Sequence, residues 1–355
     1  MTSEFPPQPG GIGNHAYNLA KYLKVNGCEV TVIADQRSKD GKEEIRFDAT
    51  LNFSVERIRI NKWRIFMYFN RIIRTFNGFK STSHIIATGK FSLWNVGFCS
   101  FFFKRQTMAV IHGSEVNFKS SMLRKSINFS LQRFKTIVAV SNYTKTLVKH
   151  LNKNVTVIPN GINVSEWQNS DSKLKLKGFP VMTTVGRVST RKGQLNVINH
   201  LPELIKYFPE LHYHCVGIPT ESHAFLSRAK SLGVESFITF HGSLEDNRLK
   251  QILGATDIFV MLSSESITGD VEGFGIAILE ANALGVPAIG SKGCGIEDAI
   301  DSHHSGILIQ VDNSNEFIEA ITEITNEKFR YKTNAKLWAE THDWDVIVKQ
   351  YLALL

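Results

Sequence analysis

Short apolar runs of strand length recur along this chain, with segments of helical length between them, and no other feature restricts the fold as much. In the first half the runs lie at residues 28–35, 84–88, 108–112, 136–140 and 155–159, with weaker strand signal inside 45–60. In the second half they lie at 181–186, 211–217, 237–240, 257–262, 286–290 and 306–310. Helical spacing fills the gaps at 12–23, 62–79, 192–208, 222–232, 245–254, 275–285, 313–326 and 344–355. Parallel strands need crossovers of about a dozen residues, so this alternation predicts parallel sheets covered by helices. Two series in one chain predict an α/β protein of two tandem, Rossmann-like, doubly wound domains. A cleft between them would let the C-terminal ends of both sheets face a ligand. We place the first domain at residues 1–162, a polar linker at 163–178, the second domain at 179–340, and at 341–355 a closing helix that can cross back to the first.

Charge supports a two-part chain. Residues 1–150 carry 23 basic and 9 acidic residues, a net +14, while the whole 355-residue chain is only +8. The second part is therefore acidic, and the first is expected to face something anionic. The four cysteines, Cys28, Cys99, Cys215 and Cys294, form no C-x-x-C pair, which disfavours a zinc ribbon, a thioredoxin-type site and a disulfide scaffold. The longest near-apolar run, residues 91–103, is short of the ~20 residues that span a bilayer. The N-terminus shows no secretory pattern, so a cytoplasmic location is expected.

Four constellations carry chemistry. The first is Glu272-Gly-Phe-Gly-Ile-Ala-Ile-Leu-Glu280, in which a helix is expected to start near Gly275. Gly273 and Gly275 allow close approach of the backbone, and the free N–H groups of a helix start attract an anion. A carboxylate at each end suits a ligand with an anionic centre and hydroxyls on both sides, as a nucleotide sugar has; a loop with a chance Glu before a helix capped by Gly is the plain alternative. The second is Gly186-Arg187-Val-Ser-Thr-Arg191-Lys192-Gly193, a strand-to-helix turn whose cations suit a diphosphate; a solvated basic turn is the plain alternative. The third is Pro9-Gly10-Gly11-Ile12-Gly13, which lacks the spacing of a dinucleotide site but can admit a phosphate or substrate. The fourth is His112-Gly113-Ser114-Glu115, at the end of a strand where parallel sheets bind ligands; a packed structural histidine is the alternative.

These four, with VSN at 140–142, VIPNGI at 157–162 and FHG at 240–242, stand in an order that resembles the retaining GT-B glycosyltransferases of the glycosyl transferases group 1 family, family 4. The resemblance runs over nearly the whole chain. It implies that Glu272 contacts donor-sugar hydroxyls near the anomeric centre, and that Gly273, Phe274 and Gly275 offer backbone N–H groups to sugar and phosphate. It further implies that Glu280 binds the nucleotide ribose and that Arg187 and Lys192, beside Gly186, hold the diphosphate as leaving group. Gly11 would sit against the donor phosphate or the acceptor, His112 beside the donor sugar, and His241-Gly242 near the base. No metal and no cofactor is implied. The expected activity is transfer of a hexose or N-acetylhexosamine from a UDP- or GDP-sugar to a lipid-linked or cell-surface glycan acceptor, by a protein peripheral to the cytoplasmic membrane face. A catalytically impaired member that binds nucleotide sugar or membrane, and a GT-B-fold sugar-nucleotide epimerase, are the alternatives.

One departure concerns the start. Family members begin with an apolar strand before Phe-Pro-Pro, and here Met1–Glu4 offers none, so the flanking strands are expected to show a bare edge or to pair directly. Either the start is misassigned or the chain is a divergent member.

Between residues 57 and 80 lie Arg57, Arg59, Lys62, Arg64, Arg71, Arg74 and Lys80, with no acid and with Trp63, Phe66, Tyr68 and Phe69 among them. This mixture favours an anionic membrane surface over nucleic acid, for which no known motif is present; a solvated basic helix packed by its apolar face is the plain alternative. Asp343-Trp344-Asp345 reads as a helix N-cap rather than a metal-binding D-x-D, and His303-His304 lacks a third ligand.

Overall fold

The computed structural model describes residues 1–168 and 174–355. The chain forms two compact units, Met1–Gly161 with Trp344–Leu355, and Ile162–Asp343.

In the first unit the strands are β1 (Thr31–Asp35), β2 (Ser54–Ile58), β3 (His84–Thr88), β4 (Gln106–Ile111), β5 (Thr136–Ala139) and β6 (Val155–Val157). The helices are α1 (Gly11–Val25), α2 (Lys42–Asp48), α3 (Arg64–Ser81), α4 (Lys90–Cys99), α5 (Ser121–Gln132) and α6 (Asn142–Leu147). A last helix, Trp344–Leu352, which is α14 in chain order, packs on α1. All the strand pairs are parallel, β1 with β2, and β3-β4-β5-β6 in that order. Residues 45–60, expected to hold strands, instead divide between the end of α2 and β2. The core is apolar: Phe79, Leu93, Val96, Ile111, Ile127, Leu131 and Phe134 are buried against β3–β6.

The expected bare edge takes a different form. β1 and β3 do not pair directly; Thr2 lies between them and makes parallel bridges to Ala34 of β1 and Thr88 of β3. Its N–H donates to the Ile33 carbonyl at 3.0 Å, and the Met1 carbonyl accepts from the Thr88 N–H at 3.0 Å. Two residues of chain thus hold the C-terminal end of the lane between the two sheet segments.

In the second unit the strands are β7 (Val181–Val185), β8 (His212–Val216), β9 (Ile238–Gly242), β10 (Ile258–Met261), β11 (Ala288–Ser291) and β12 (Gly306–Ile309). Its helices are α7 (Val164–Gln168), α8 (Gln194–Tyr207), α9 (Ser222–Ser231), α10 (Asp246–Gly254), α11 (Ile276–Ala283), α12 (Ser314–Asn326) and α13 (Lys328–Thr341). The parallel sheet runs β12-β11-β10-β7-β8-β9. Its strand order reverses between β10 and β7, and the crevice beyond the carboxyl ends of those two strands is where open α/β sheets take ligands. The strands are near-continuous apolar runs because helices cover both faces; every residue of β8, β10 and β11 is buried.

The stretch 163–178 is not a plain linker. Val164–Gln168 is helical and belongs to the second unit, whereas residues 169–173 lie outside the described residues. Asp343, which precedes the terminal helix, accepts the Val164 N–H at 3.0 Å at the start of α7.

Candidate active site

Two loops leave the switch point of the second unit. The β7 loop runs from Gly186 through a 3₁₀ turn, Thr190–Lys192, into α8. Glu221 fixes this turn by accepting from Thr190 N–H at 3.1 Å and from its hydroxyl at 2.8 Å. Gly193 ends the turn at φ 81°, and a Cβ there would stand 2.1 Å from the Leu262 carbonyl. Only glycine lets the turn lie this close to the end of β10. The β10 loop runs through Glu272 to α11, whose N-cap Gly275 has a left-handed backbone and offers no side-chain cap. The first N–H groups of α11 are therefore open to an anion.

The two loops meet through charge. Glu272 Oε2 accepts from Arg191 Nη1 at 2.5 Å and from Lys192 Nζ at 2.8 Å. Burial by itself would raise the Glu272 pKa, but Lys192 and Arg191 more than reverse this and hold it below the ordinary carboxylate value. Glu280, on α11, goes the other way. Burial pushes it up to about 7, Lys192 and Lys250 opposing and Asp246 adding to the rise. One carboxylate is thus kept charged and the other is poised to hold a proton near neutrality.

The remaining residues read from the sequence are placed as follows. Gly186 lies under Lys192, whose Cε would come within 3.1 Å of a Cβ at that position. Arg187, read as a diphosphate ligand, is exposed, and its guanidinium has no hydrogen-bond or ion-pair partner among the described residues; Arg191 is the arginine that reaches Glu272. The sequence shows three cations on this turn but not which of them point inward. The Phe274 ring is buried, 6.0 Å from the His342 ring, so only its backbone is available to a ligand. His241 shares a hydrogen bond of 2.9 Å with His214, at the irregular end of the β8–β9 pairing, and burial, His214 and Arg248 lower its pKa. Gly242 accepts the Gly217 N–H at 2.9 Å and has open space on its Cβ side. Among the described residues no group of three or more His, Cys, Asp or Glu is placed to hold a metal ion.

In the first unit Gly11 opens α1 with nothing within 4 Å of a Cβ, whereas a Cβ on Gly13 would press on the Glu4–Phe5 backbone at 3.1 Å. Of the two, Gly11 is the one open to a ligand. His112 follows β4; its Nε2 bonds the Thr88 hydroxyl at 2.8 Å and its ring meets that of His15, centroids 4.9 Å apart. Burial, and then the neighbouring His15, push the His112 pKa well down, so it is a neutral imidazole at pH 7. Glu115 closes this motif in the sequence, which assigned it no role. It is buried and accepts the His112 N–H at 2.5 Å, its other oxygen has no hydrogen-bond partner among the described residues, and burial pushes it up to about 7.

The basic stretch divides in two. Arg71 is buried and bonds Asp35 at the end of β1 through two nitrogens, at 2.9 and 2.5 Å. Arg57 is paired with Asp48 at 2.7 Å and lies over the Phe5 ring. These two are structural, contrary to the surface role expected of them. Arg59, Lys62, Arg64, Arg74 and Lys80 are exposed, with Arg74 paired to Glu56 at 2.7 Å. Trp63, Ile65, Phe66, Phe69 and Ile73 are exposed beside them. On the neighbouring α4–α5 surface, Phe101 and Phe129 stack at 5.9 Å and Arg133 lies over Phe101 at 4.1 Å. No described helix is long and apolar enough to cross a membrane.

Comparison with known proteins bears on the family and the fold. The profile of Glycosyl transferases group 1 matches residues 165–341, and that of Glycosyltransferase Family 4 matches residues 9–166. The chain belongs to the group 1, family 4 glycosyltransferases. Among relatives of this family, the GDP-mannose-dependent monoacylated alpha-(1-6)-phosphatidylinositol monomannoside mannosyltransferase of Corynebacterium glutamicum is 24% identical, over 93% of this chain and 89% of its own. The phosphatidyl-myo-inositol mannosyltransferase of Propionibacterium freudenreichii is 25% identical, over 98% of this chain and 91% of its own. The solved structure of Anabaena HepE in complex with UDP and glucose superposes with a TM-score of 0.80 at 19% identity, covering 99% of this chain and 97% of the other. That of WaaG, a glycosyltransferase involved in lipopolysaccharide biosynthesis, gives 0.68 at 17% identity, covering 99% and 97%. The fold of this family member is accordingly GT-B.

Proposed function

We propose that this glycosyltransferase moves a hexose or N-acetylhexosamine, with retention, from a UDP- or GDP-sugar to a lipid-linked or glycan acceptor at the cytoplasmic face of a membrane, without a metal. The observation that carries the reading is the junction of Glu272, Lys192 and the open start of α11 at the switch point of the second sheet. The α11 N–H groups and Lys192 take the diphosphate, and Arg187, exposed on the same turn, closes on it from the solvent side. A second anion at that helix start would repel the phosphate, so Glu272 turns to a sugar hydroxyl. Glu280 donates or accepts a hydrogen bond at the ribose. The acceptor oxygen bonds to the anomeric carbon as the bond from that carbon to the phosphate oxygen breaks. Its proton passes to the departing diphosphate on the same face, so the configuration is kept. Cations near the leaving oxygens stabilise the charge that develops there.

On the first unit, the exposed aromatic and basic residues of α3 support docking to an anionic bilayer, with rings at the interface and cations on the headgroups. Because relatives are named for GDP-mannose, a donor screen starts with GDP-mannose and runs through UDP- and GDP-hexoses, with phosphatidylinositol-containing vesicles as acceptor. Release of nucleoside diphosphate with one donor, coupled to a glycosylated lipid or glycan, is the expected result. No turnover and no nucleotide binding with any donor would overturn the reading.

A further inference from the structure

Lys192 and Arg191 compete for one oxygen. Both reach Glu272 Oε2, at 2.8 and 2.5 Å, while Oε1 takes part in neither bond. The two cations differ in setting. The Lys192 stem runs across Gly186 toward the end of β7, and its side chain is 15% exposed. The Arg191 side chain is 31% exposed, about twice as much as that of Lys192. The turn itself is pinned by the two Glu221 bonds and by Gln194, which accepts the Ser189 N–H at 3.2 Å. The backbone that carries both cations is therefore fixed, and a ligand can move only their side chains.

A diphosphate at the start of α11 attracts a free ammonium. If both cations left Glu272 for it, a carboxylate with an 11% exposed side chain would remain without a counter-charge. Such a group takes up a proton and loses its strength as an acceptor. A planar guanidinium keeps its geometry on a carboxylate, whereas an ammonium is a mobile point charge. We propose that Arg191 is the positioning residue of Glu272: it keeps its bond to Oε2 when the donor diphosphate draws Lys192 away, and leaves Oε1 for a donor-sugar hydroxyl. The inference rests on the function proposed above. The other titratable groups about Glu272 are Cys294, on the segment after β11, and Glu280, across Lys192.

The test compares wild type, Arg191→Ala and Arg191→Lys, with Lys192→Ala as a control. UDP and GDP affinities are measured by calorimetry, and kcat and KM are measured against pH with the donor found in the screen. For Arg191→Ala we expect nucleotide affinity within about twofold of wild type, kcat lower by roughly tenfold or more, and the acid limb of the kcat profile moved up by about one pH unit. Arg191→Lys should restore most of kcat and bring the limb back. Lys192→Ala should lose nucleotide affinity instead. A tenfold loss of nucleotide affinity in Arg191→Ala would make Arg191 a diphosphate ligand and overturn the proposal. A fall in kcat with an unmoved acid limb would show an ordinary structural role and also overturn it. Wild-type protein that binds neither UDP nor GDP overturns this proposal together with the function on which it rests.

Discussion

Glu272 and Glu280 lie eight residues apart and are driven in opposite directions. Burial opposes the charge on both, but Glu272 has Lys192 and Arg191 on its carboxylate, and Glu280 has no such ion pair among the described residues. The sign of the Glu280 effect follows from linkage. Folded protein holds the Glu280 proton up to about pH 7, whereas the unfolded chain releases it near the ordinary 4.5. The stability tied to that proton is full below the unfolded value and is lost as pH rises through the folded one. Glu280→Gln should therefore melt progressively higher than wild type as pH rises from 5 to 8, by on the order of 2 kcal/mol at the top. A difference that stays flat across that range would place Glu280 in water. For the diphosphate, each charge-assisted contact contributes ~1.5–3 kcal/mol. Lys192→Ala is expected to weaken UDP or GDP binding by roughly ten- to a hundredfold, and Arg187→Ala, whose group is exposed, by less. Calorimetry that finds Lys192→Ala unchanged removes it from the site. Arg191 was visible in the sequence only as one of three cations. Its role depends on a 3₁₀ turn that directs residues 191 and 192 to the same carboxylate, and spacing does not encode that.

The strands announce themselves because both faces are covered. The apolar runs at residues 84–88, 136–140 and 257–262 form β3, β5 and β10 nearly as read. Helix α13 was not legible: its buried face is Tyr331, Ala335 and Ala339, and two of those three are too small to make an apolar stripe. Helix α3 was legible as a helix, but its charges were not sortable. Arg71 and the exposed cations look alike in sequence, and only Asp35, thirty-six residues earlier, turns Arg71 into a buried pair. This gives two opposed expectations. Arg59, Lys62, Arg64 and Lys80 changed to Gln should leave the fold intact and weaken binding to anionic vesicles by ~1 kcal/mol per charge. Arg71→Gln leaves Asp35 unpaired and should destabilise the first unit by roughly 3–5 kcal/mol. Vesicle sedimentation and thermal melting separate the two. Wild-type binding that is equal on neutral and anionic vesicles would defeat the membrane reading.

At the scale of the molecule, the chain sets a basic first half against an acidic second half that carries the Glu272 junction. Under the proposed function, an anionic surface for one part and a nucleotide sugar held by Lys192 in the other would give that asymmetry a purpose. The lane between β1 and β3, closed at one end by Thr2, lies in the first unit, whereas the Glu272 junction lies in the second. The chemistry proposed there has one consequence for the product that no binding measurement can imitate. Departure of the diphosphate and entry of the acceptor on one face must preserve the donor's anomeric configuration. The deciding measurement is therefore proton NMR of the product's anomeric centre, run with wild type and with Glu272→Gln. The account predicts the donor's own configuration in the product, with turnover about a hundredfold lower in Glu272→Gln, ~2.7 kcal/mol, and nucleotide affinity nearly unchanged. An inverted linkage, or a Glu272→Gln enzyme as fast as wild type, would contradict it.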